Sequence, residues 1–135
     1  MTRTILVAAA LRDRARHDAA LALLRSKVKP GTSAVGSLDP PPDGPDWNAI
    51  RSAEGGWDGI GPWVARAFDG LCVCPMDGAT GLSRIVFAMA RETLRAGKPV
   101  LAIQESNLLK VRAVKVTDSE TFKGVFGVYE KEKST

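Results

Sequence analysis

Apolar side chains fall along this chain in two rhythms. From Thr4 to Leu11 they run almost without a break, "TILVAAAL", over the length of one strand. A continuous run of that kind suits a strand covered on both faces, as in a parallel sheet. The rhythm then changes. His17, Leu21, Leu24 and Val28 recur at spacings of four, three and four, which predicts a helix face that Asp13 can cap and "KPGT" ends. Residues 32–38 predict a second, short strand. "DPPPDGPD", residues 39–46, excludes helix and central strand, because proline fixes φ and lacks an N–H; it predicts a surface loop. Short helices are expected over "WNAIRSAEGG" and "GPWVARAF", the second with Pro62 in its first turn.

Residues 69–74 predict the next strand. The clearest element follows it. Leu82, Ile85, Val86, Met89, Ala90, Thr93 and Leu94 form one helical stripe, Arg84, Arg91 and Arg95 lie on the other side, and Gly97 is a natural stop. "PVLAIQ" predicts a strand that "ESN" turns into "LLKVRAVKVT", an antiparallel hairpin. "GVFGVYE" reads as a last strand or docking segment, and residues 131–135 as a frayed tail. The alternation of strands and helices predicts a single α/β domain over residues 1–135. Its form is a three-layer sandwich around a mostly parallel sheet of about five strands, with a C-terminal antiparallel edge hairpin. Ligands bind such sheets beyond the carboxyl ends of the strands. Two places qualify: the turn after Leu11 and the loop after Cys74.

Composition narrows the function classes. With 44% apolar and 25% charged residues the chain reads as soluble and globular. No apolar run reaches the roughly 18–20 residues of a membrane span. The first strand lacks the cleavage pattern of a signal peptide, so an unexported, cytoplasmic protein is expected. The net charge of +4 comes from scattered basic residues, which fit a small anionic ligand. They do not form the clustered patch with interleaved aromatics of a nucleic-acid surface, which is therefore not favoured. Cys72 and Cys74 share one strand face, an arrangement unsuited to a relaxed disulfide, and no second pair completes a zinc site. They read as core residues, with a reactive Cys74 as the alternative. No carboxylate–histidine cluster suggests a metal, and no cofactor is expected.

The stretch "CPMDGATGLSRIV", residues 74–86, carries the strongest chemical signal. A strand ends, a glycine-containing loop follows, and a helix begins. Unpaired N–H groups at a helix start attract anions, and glycines let a phosphate approach. Gly78, Thr80, Gly81, Ser83 and Arg84 are the candidate phosphate-binding residues. Ser83 has an alternative role as a first-turn hydrogen-bonding residue, and the glycines as mere permission for a tight turn. A Walker A loop is excluded, because Leu82 stands where its lysine would be. A phosphatase-type cysteine loop is excluded as well, because Thr80 stands where its arginine would be. Any Ser-His-Asp arrangement would have to use His17, the chain's one histidine.

Residues 68–103, "FDGLCVCPMDGATGLSRIVFAMARETLRAGKPVLAI", resemble the nucleoside 2-deoxyribosyltransferase-like group, which includes deoxynucleotide N-glycosidases. The strand opened by Asp-Gly, the glycine-containing loop, the Ala-rich helix and "GKPV" carry the resemblance. It implies a Rossmann-like fold, a nucleoside or nucleotide ligand and a homo-oligomer. Enzymes of the group attack the anomeric carbon with a glutamate near the start of this helix. Matching the group's E-x-G-x-A to "VFAMA" puts Val86 at that position. Glu92 is roughly 9 Å further along the helix axis, too far to replace it. Asp77, on the loop, is the catalytic candidate that remains.

Trp47, Trp57 and Trp63 all lie in one glycine-rich segment. They pack that segment onto the sheet, or stack on a base, or line a subunit interface. Three readings follow for the whole chain. It is a nucleotide- or nucleoside-like ligand-binding relative without glycosyl transfer. It is an active N-glycosidase or transferase using a carboxylate such as Asp77. Or it is a phage or bacterial interaction or assembly protein without a ligand.

Overall fold

The computed structural model describes residues 3–10, 13–75, 81–104, 107–118 and 123–128. Strand β1 (Arg3–Ala8) leads through Asp13 into helix α1 (Arg14–Lys27), and β2 (Thr32–Gly36) follows. Helices α2 (Trp47–Ala53) and α3 (Ile60–Ala67) precede β3 (Gly70–Val73). A two-residue strand β4 (Gly81–Leu82), helix α4 (Arg84–Arg95), β5 (Val100–Gln104), β6 (Asn107–Asp118) and β7 (Lys123–Val128) complete the described chain.

The sheet runs β2-β1-β3-β5-β6-β7-β4. Its first four strands are mutually parallel, and β6 returns antiparallel to β5 with Leu101 opposite Lys110 and Gln104 opposite Asn107. This is the expected α/β architecture with its C-terminal antiparallel hairpin. β7 and β4 extend the antiparallel ladder beyond it.

Alternation along the strands divides the core between two faces. Leu6 and Ala8 of β1, Leu71 and Val73 of β3, and Val100 and Ala102 of β5 join the cluster under α3 and α4. Val7 and Ala9, with Cys72 and Cys74, join the cluster under α1, where Ala20, Leu21 and Leu24 meet them. Burial on both faces is why β1 and β3 read as unbroken apolar runs.

Helix α4 is set by its ends as well as by its stripe. The Ser83 hydroxyl accepts from the Val86 N–H at 3.4 Å. At the other end Gly97 has φ 75°, its N–H reaches the Leu94 carbonyl, and the Lys98 N–H reaches the Thr93 carbonyl. That paired pattern is the Schellman stop expected of this glycine. Val86, Met89, Ala90 and Thr93 are buried as the stripe predicts, and Phe87 is buried with them. Leu82 belongs to β4 rather than to the helix, although it is buried as expected.

Candidate functional site

Between β1 and β3 the winding of the parallel sheet changes direction, since β2 lies on one side of β1 and β5 beyond β3. Neighbouring loops diverge at such a point and leave a crevice beyond the carboxyl ends of the strands. Here β1 is clasped on both sides: the Cys74 N–H donates to the Ala8 carbonyl at 2.9 Å and the Ser37 N–H to the Val7 carbonyl at 2.8 Å. Beyond the ladder, the Ala9 N–H donates to the Ser37 hydroxyl at 3.3 Å, and the Ser37 carbonyl accepts from the Trp47 indole at 2.7 Å. Arg16, in the first turn of α1, donates to the Pro75 carbonyl at 2.7 Å and ties that helix to the end of β3.

Asp13 sits at this edge. It holds the N-cap position of α1 as expected, but its side chain makes no capping hydrogen bond. Its Oδ2 is buried and without a hydrogen-bond partner among the described residues. The carboxylate acts on Cys74 instead. Burial first, and then the negative charge of Asp13, push the Cys74 thiol up to about 12 against the opposing pull of Arg16. Burial, with Cys74 beside it, raises Cys72 further. Both cysteines are free thiols in the core, and neither has the thiolate character that reactivity requires.

A second polar group closes the neighbouring end of β2. His17 is fully buried, with Nε2 accepting from the Leu38 N–H at 3.2 Å and Nδ1 lying 2.8 Å from Asp18 Oδ1. An acceptor Nε2 puts the ring proton on Nδ1, where it is donated to Asp18. Both ring nitrogens are thus engaged, and the ring has no nitrogen left to serve a Ser-His-Asp triad. That hydrogen bond, foremost, holds the Asp18 carboxyl below its usual range; desolvation opposes it and Arg14 adds to it.

His17, Asp18 and Asp39 bring one ligand atom each within 4.8 Å of one another. One imidazole and two carboxylates form a donor set that could take a divalent cation. This corrects the expectation that no carboxylate–histidine cluster is present: the return of the chain after β2 brings Asp39 to the start of α1. Arg14 already stands in the group. Its guanidinium reaches Asp39 Oδ1 at 2.9 Å, Asp18 Oδ2 at 3.3 Å and the Leu38 carbonyl at 2.6 Å. In this arrangement Arg14 supplies the positive charge that a cation would bring.

The candidate residues from the sequence are distributed as follows. Asp77, Gly78 and Thr80 lie outside the described residues. Gly81 is paired in β4, opposite Val125, rather than standing in an open turn, because β7 folds back alongside it. Ser83 stands at the N-cap of α4, where its hydroxyl accepts from the Val86 N–H. Arg84 is exposed and lies 3.5 Å from Asp58. Val86, at the position matched to the group's glutamate, is 3% exposed in the core. Glu92 is engaged by Arg91 and Arg95. Trp47 and Trp63 pack against the core, and Trp57 is exposed. Sequence reasoning missed Asp39 and Arg14 as members of a polar cluster, and Asp13 as an unpaired acceptor.

No family model, curated protein or solved structure matches the chain. Among the described residues no helix is long and apolar enough to cross a membrane.

Proposed function

We propose that this chain binds a small nucleoside- or nucleotide-like ligand at the carboxyl edge of its parallel sheet, without the glycosyl transfer of the group it resembles. The observation that carries the reading is Asp13. A buried carboxylate oxygen without a donor costs on the order of 1–3 kcal/mol or more. It sits where open α/β sheets take their ligands, and a sugar hydroxyl would supply the donor that no described residue provides. Arg16 and Arg84, at the starts of α1 and α4, favour an anionic group on the same ligand. The resemblance of residues 68–103 supports the nucleoside kind. The burial of Val86 supports binding over transfer, because a carboxylate introduced there would face the core. A homo-oligomer belongs to the same reading.

The test is a thermal-shift and calorimetric screen of deoxynucleoside monophosphates, with sedimentation for the assembly. A ligand at 100 times its Kd adds about 2.7 kcal/mol of stability. Asp13→Ala is expected to weaken binding roughly tenfold while stabilising the ligand-free protein, since it removes a buried oxygen that no described residue satisfies. Chromatography of the same mixtures is expected to show no free base. No shift with any purine or pyrimidine nucleotide at millimolar concentration overturns the reading.

A further inference from the structure

Three tryptophans lie between residues 47 and 63, and the structure treats one of them differently. Trp47 and Trp63 meet edge to face at 6.0 Å, and Trp63 meets Phe68 at 5.7 Å, a chain of rings against the core. Trp57 stands outside it and is 49% exposed. Its position is built. Gly55 and Gly56 take φ 81° and 111°, backbone conformations that favour glycine, ahead of the 3-10 turn Trp57–Gly59. The Gly56 N–H returns to the Arg51 carbonyl at 2.8 Å, and the Gly59 N–H to the Gly56 carbonyl at 3.2 Å. Glu54 is paired with Arg66 of α3. A side chain at Gly59 would run into the Glu54 carbonyl, so the loop is closed tightly on itself. This is a braced loop holding a large aromatic ring half in solvent.

The ring has one dressed face. The Arg51 guanidinium carbon lies 4.9 Å from the Trp57 ring centroid, a cation–π contact. The loop is also at the functional end of the sheet. Helix α3 begins at Ile60 and leads into the start of β3, so its own start lies at the carboxyl edge. The start of α4 lies there too: Gly61 packs on Ala88, and Asp58 reaches Arg84 at 3.5 Å. Asp58 tempers the positive charge of Arg84, so the planar ring is the stronger recognition element.

We propose that Trp57, backed by Arg51 and next in the chain to the Asp58 that pairs with Arg84, is a stacking platform for the planar base of the ligand. The proposal rests on the nucleotide reading for the choice of ligand. Stacking on an exposed aromatic ring tolerates any base, because every base has a π face. The platform therefore distinguishes ligands with a base from those without one, rather than one base from another.

The experiment compares deoxyadenosine, deoxyadenosine monophosphate and deoxyribose 5-phosphate by calorimetry and tryptophan fluorescence. It uses the full chain, its Trp57→Leu and Trp57→Phe variants, which the exposure of residue 57 makes compatible with folding, and Asp13→Ala, each checked by circular dichroism. In the unmodified chain the monophosphate is expected to bind roughly tenfold more tightly than the sugar phosphate and to quench fluorescence. Trp57→Leu should erase that difference and the quenching, and Trp57→Phe should restore part of the affinity. Equal binding of monophosphate and sugar phosphate in the unmodified chain and both Trp57 variants overturns the platform and leaves the ligand reading standing. Quenching by the free nucleoside that depends on Trp57 but not on Asp13 supports the platform while overturning the site at Asp13. No quenching by either base-bearing compound overturns the platform. So does a change of oligomeric state in Trp57→Leu, which would assign the ring to a protein interface.

Discussion

Gly36 lies so close to His17 that a Cβ on residue 36 would stand 2.6 Å from both Cε1 and Nε2 of the imidazole, and 2.6 Å from Asp39 Oδ2. The end of β2 and the first turns of α1 are therefore fitted through a position that only glycine fills. Gly36→Ala should push the ring off the Leu38 N–H and open the Arg14–Asp39 contact. Overpacking of this kind costs roughly 1–3 kcal/mol, read as a lower urea midpoint. In a His17→Ala background most of that loss should vanish, because the two sites share one contact. An unchanged midpoint in the single variant would show that the end of β2 has room.

The same cluster sets an acid dependence. The Asp18 carboxyl is held below its usual range, chiefly by the hydrogen bond from His17 and with help from Arg14. A lowered folded-state pKa means that the unfolded chain binds the proton more readily. The contribution is therefore complete above the ordinary Asp value of about 3.9 and is lost as pH falls through the lower folded value. Asp18→Asn should flatten the fall of the urea midpoint over that acid range and leave the shape at neutral pH unchanged. A variant whose acid limb matches that of the unmodified chain would contradict the assignment.

For the His17, Asp18 and Asp39 trio the decisive group is Arg14. With the guanidinium on both carboxylates and Nε2 accepting from Leu38, a cation has to displace three hydrogen bonds before it gains its ligands. Zinc or manganese at micromolar to millimolar concentration should leave the thermal midpoint within about a degree of the chelator-treated value, since a ligand that does not bind adds no stability. A rise of several degrees that Asp39→Asn abolishes would make the trio a metal site.

The fold was legible where burial is continuous and local. β1 and β3 announce themselves because both faces of each are covered, and α4 because its apolar stripe meets one sheet face. Phe87 escaped that stripe because α3 packs on α4 as well, widening the buried arc beyond what the sheet alone requires. β4 was illegible because two residues become a strand only when β7 arrives beside them. The polar cluster failed for a similar reason. His17 could be placed on the inner face of α1 from its spacing, but Asp39 sits in a proline-rich stretch whose composition says only "loop". Nothing local in the sequence shows that the turn after Gly36 carries it back to Arg14. Asp13 was placed correctly as the residue before a helix, but the composition of that turn does not reveal that its carboxylate leaves the cap unmade.

The cysteines give a direct check on the interior of the sheet. Cys74 stands at the end of β3, yet burial and the nearby Asp13 charge raise its thiol to about 12. At pH 8 the thiolate fraction of Cys74 is therefore on the order of one part in ten thousand, and thiol reagents act on the thiolate. Neither cysteine should react with a disulfide-exchange reagent in the native protein over minutes, and both should react in denaturant. Rapid labelling of one thiol in the native protein would restore the reactive reading of Cys74.

Thr93 offers the cleanest test of the packing between α4 and the sheet. It is 1% exposed, it faces the core from the last turns of the helix, and its hydroxyl has no hydrogen-bond partner among the described residues. A threonine in a helix commonly satisfies its hydroxyl on the carbonyl one turn back; here that bond is not made. The side chain thus carries the desolvation of a polar group with no return, while its methyl group packs normally. Valine has nearly the same shape without the hydroxyl. Thr93→Val should stabilise the protein by about 1 kcal/mol, raising Tm by roughly 2–5 °C with an unchanged m-value. Thr93→Ala should instead lose stability, because it removes the packed methyl group as well and leaves a cavity. The opposite order of the two variants would mean that the hydroxyl is satisfied in solution and that the helix sits differently on the sheet.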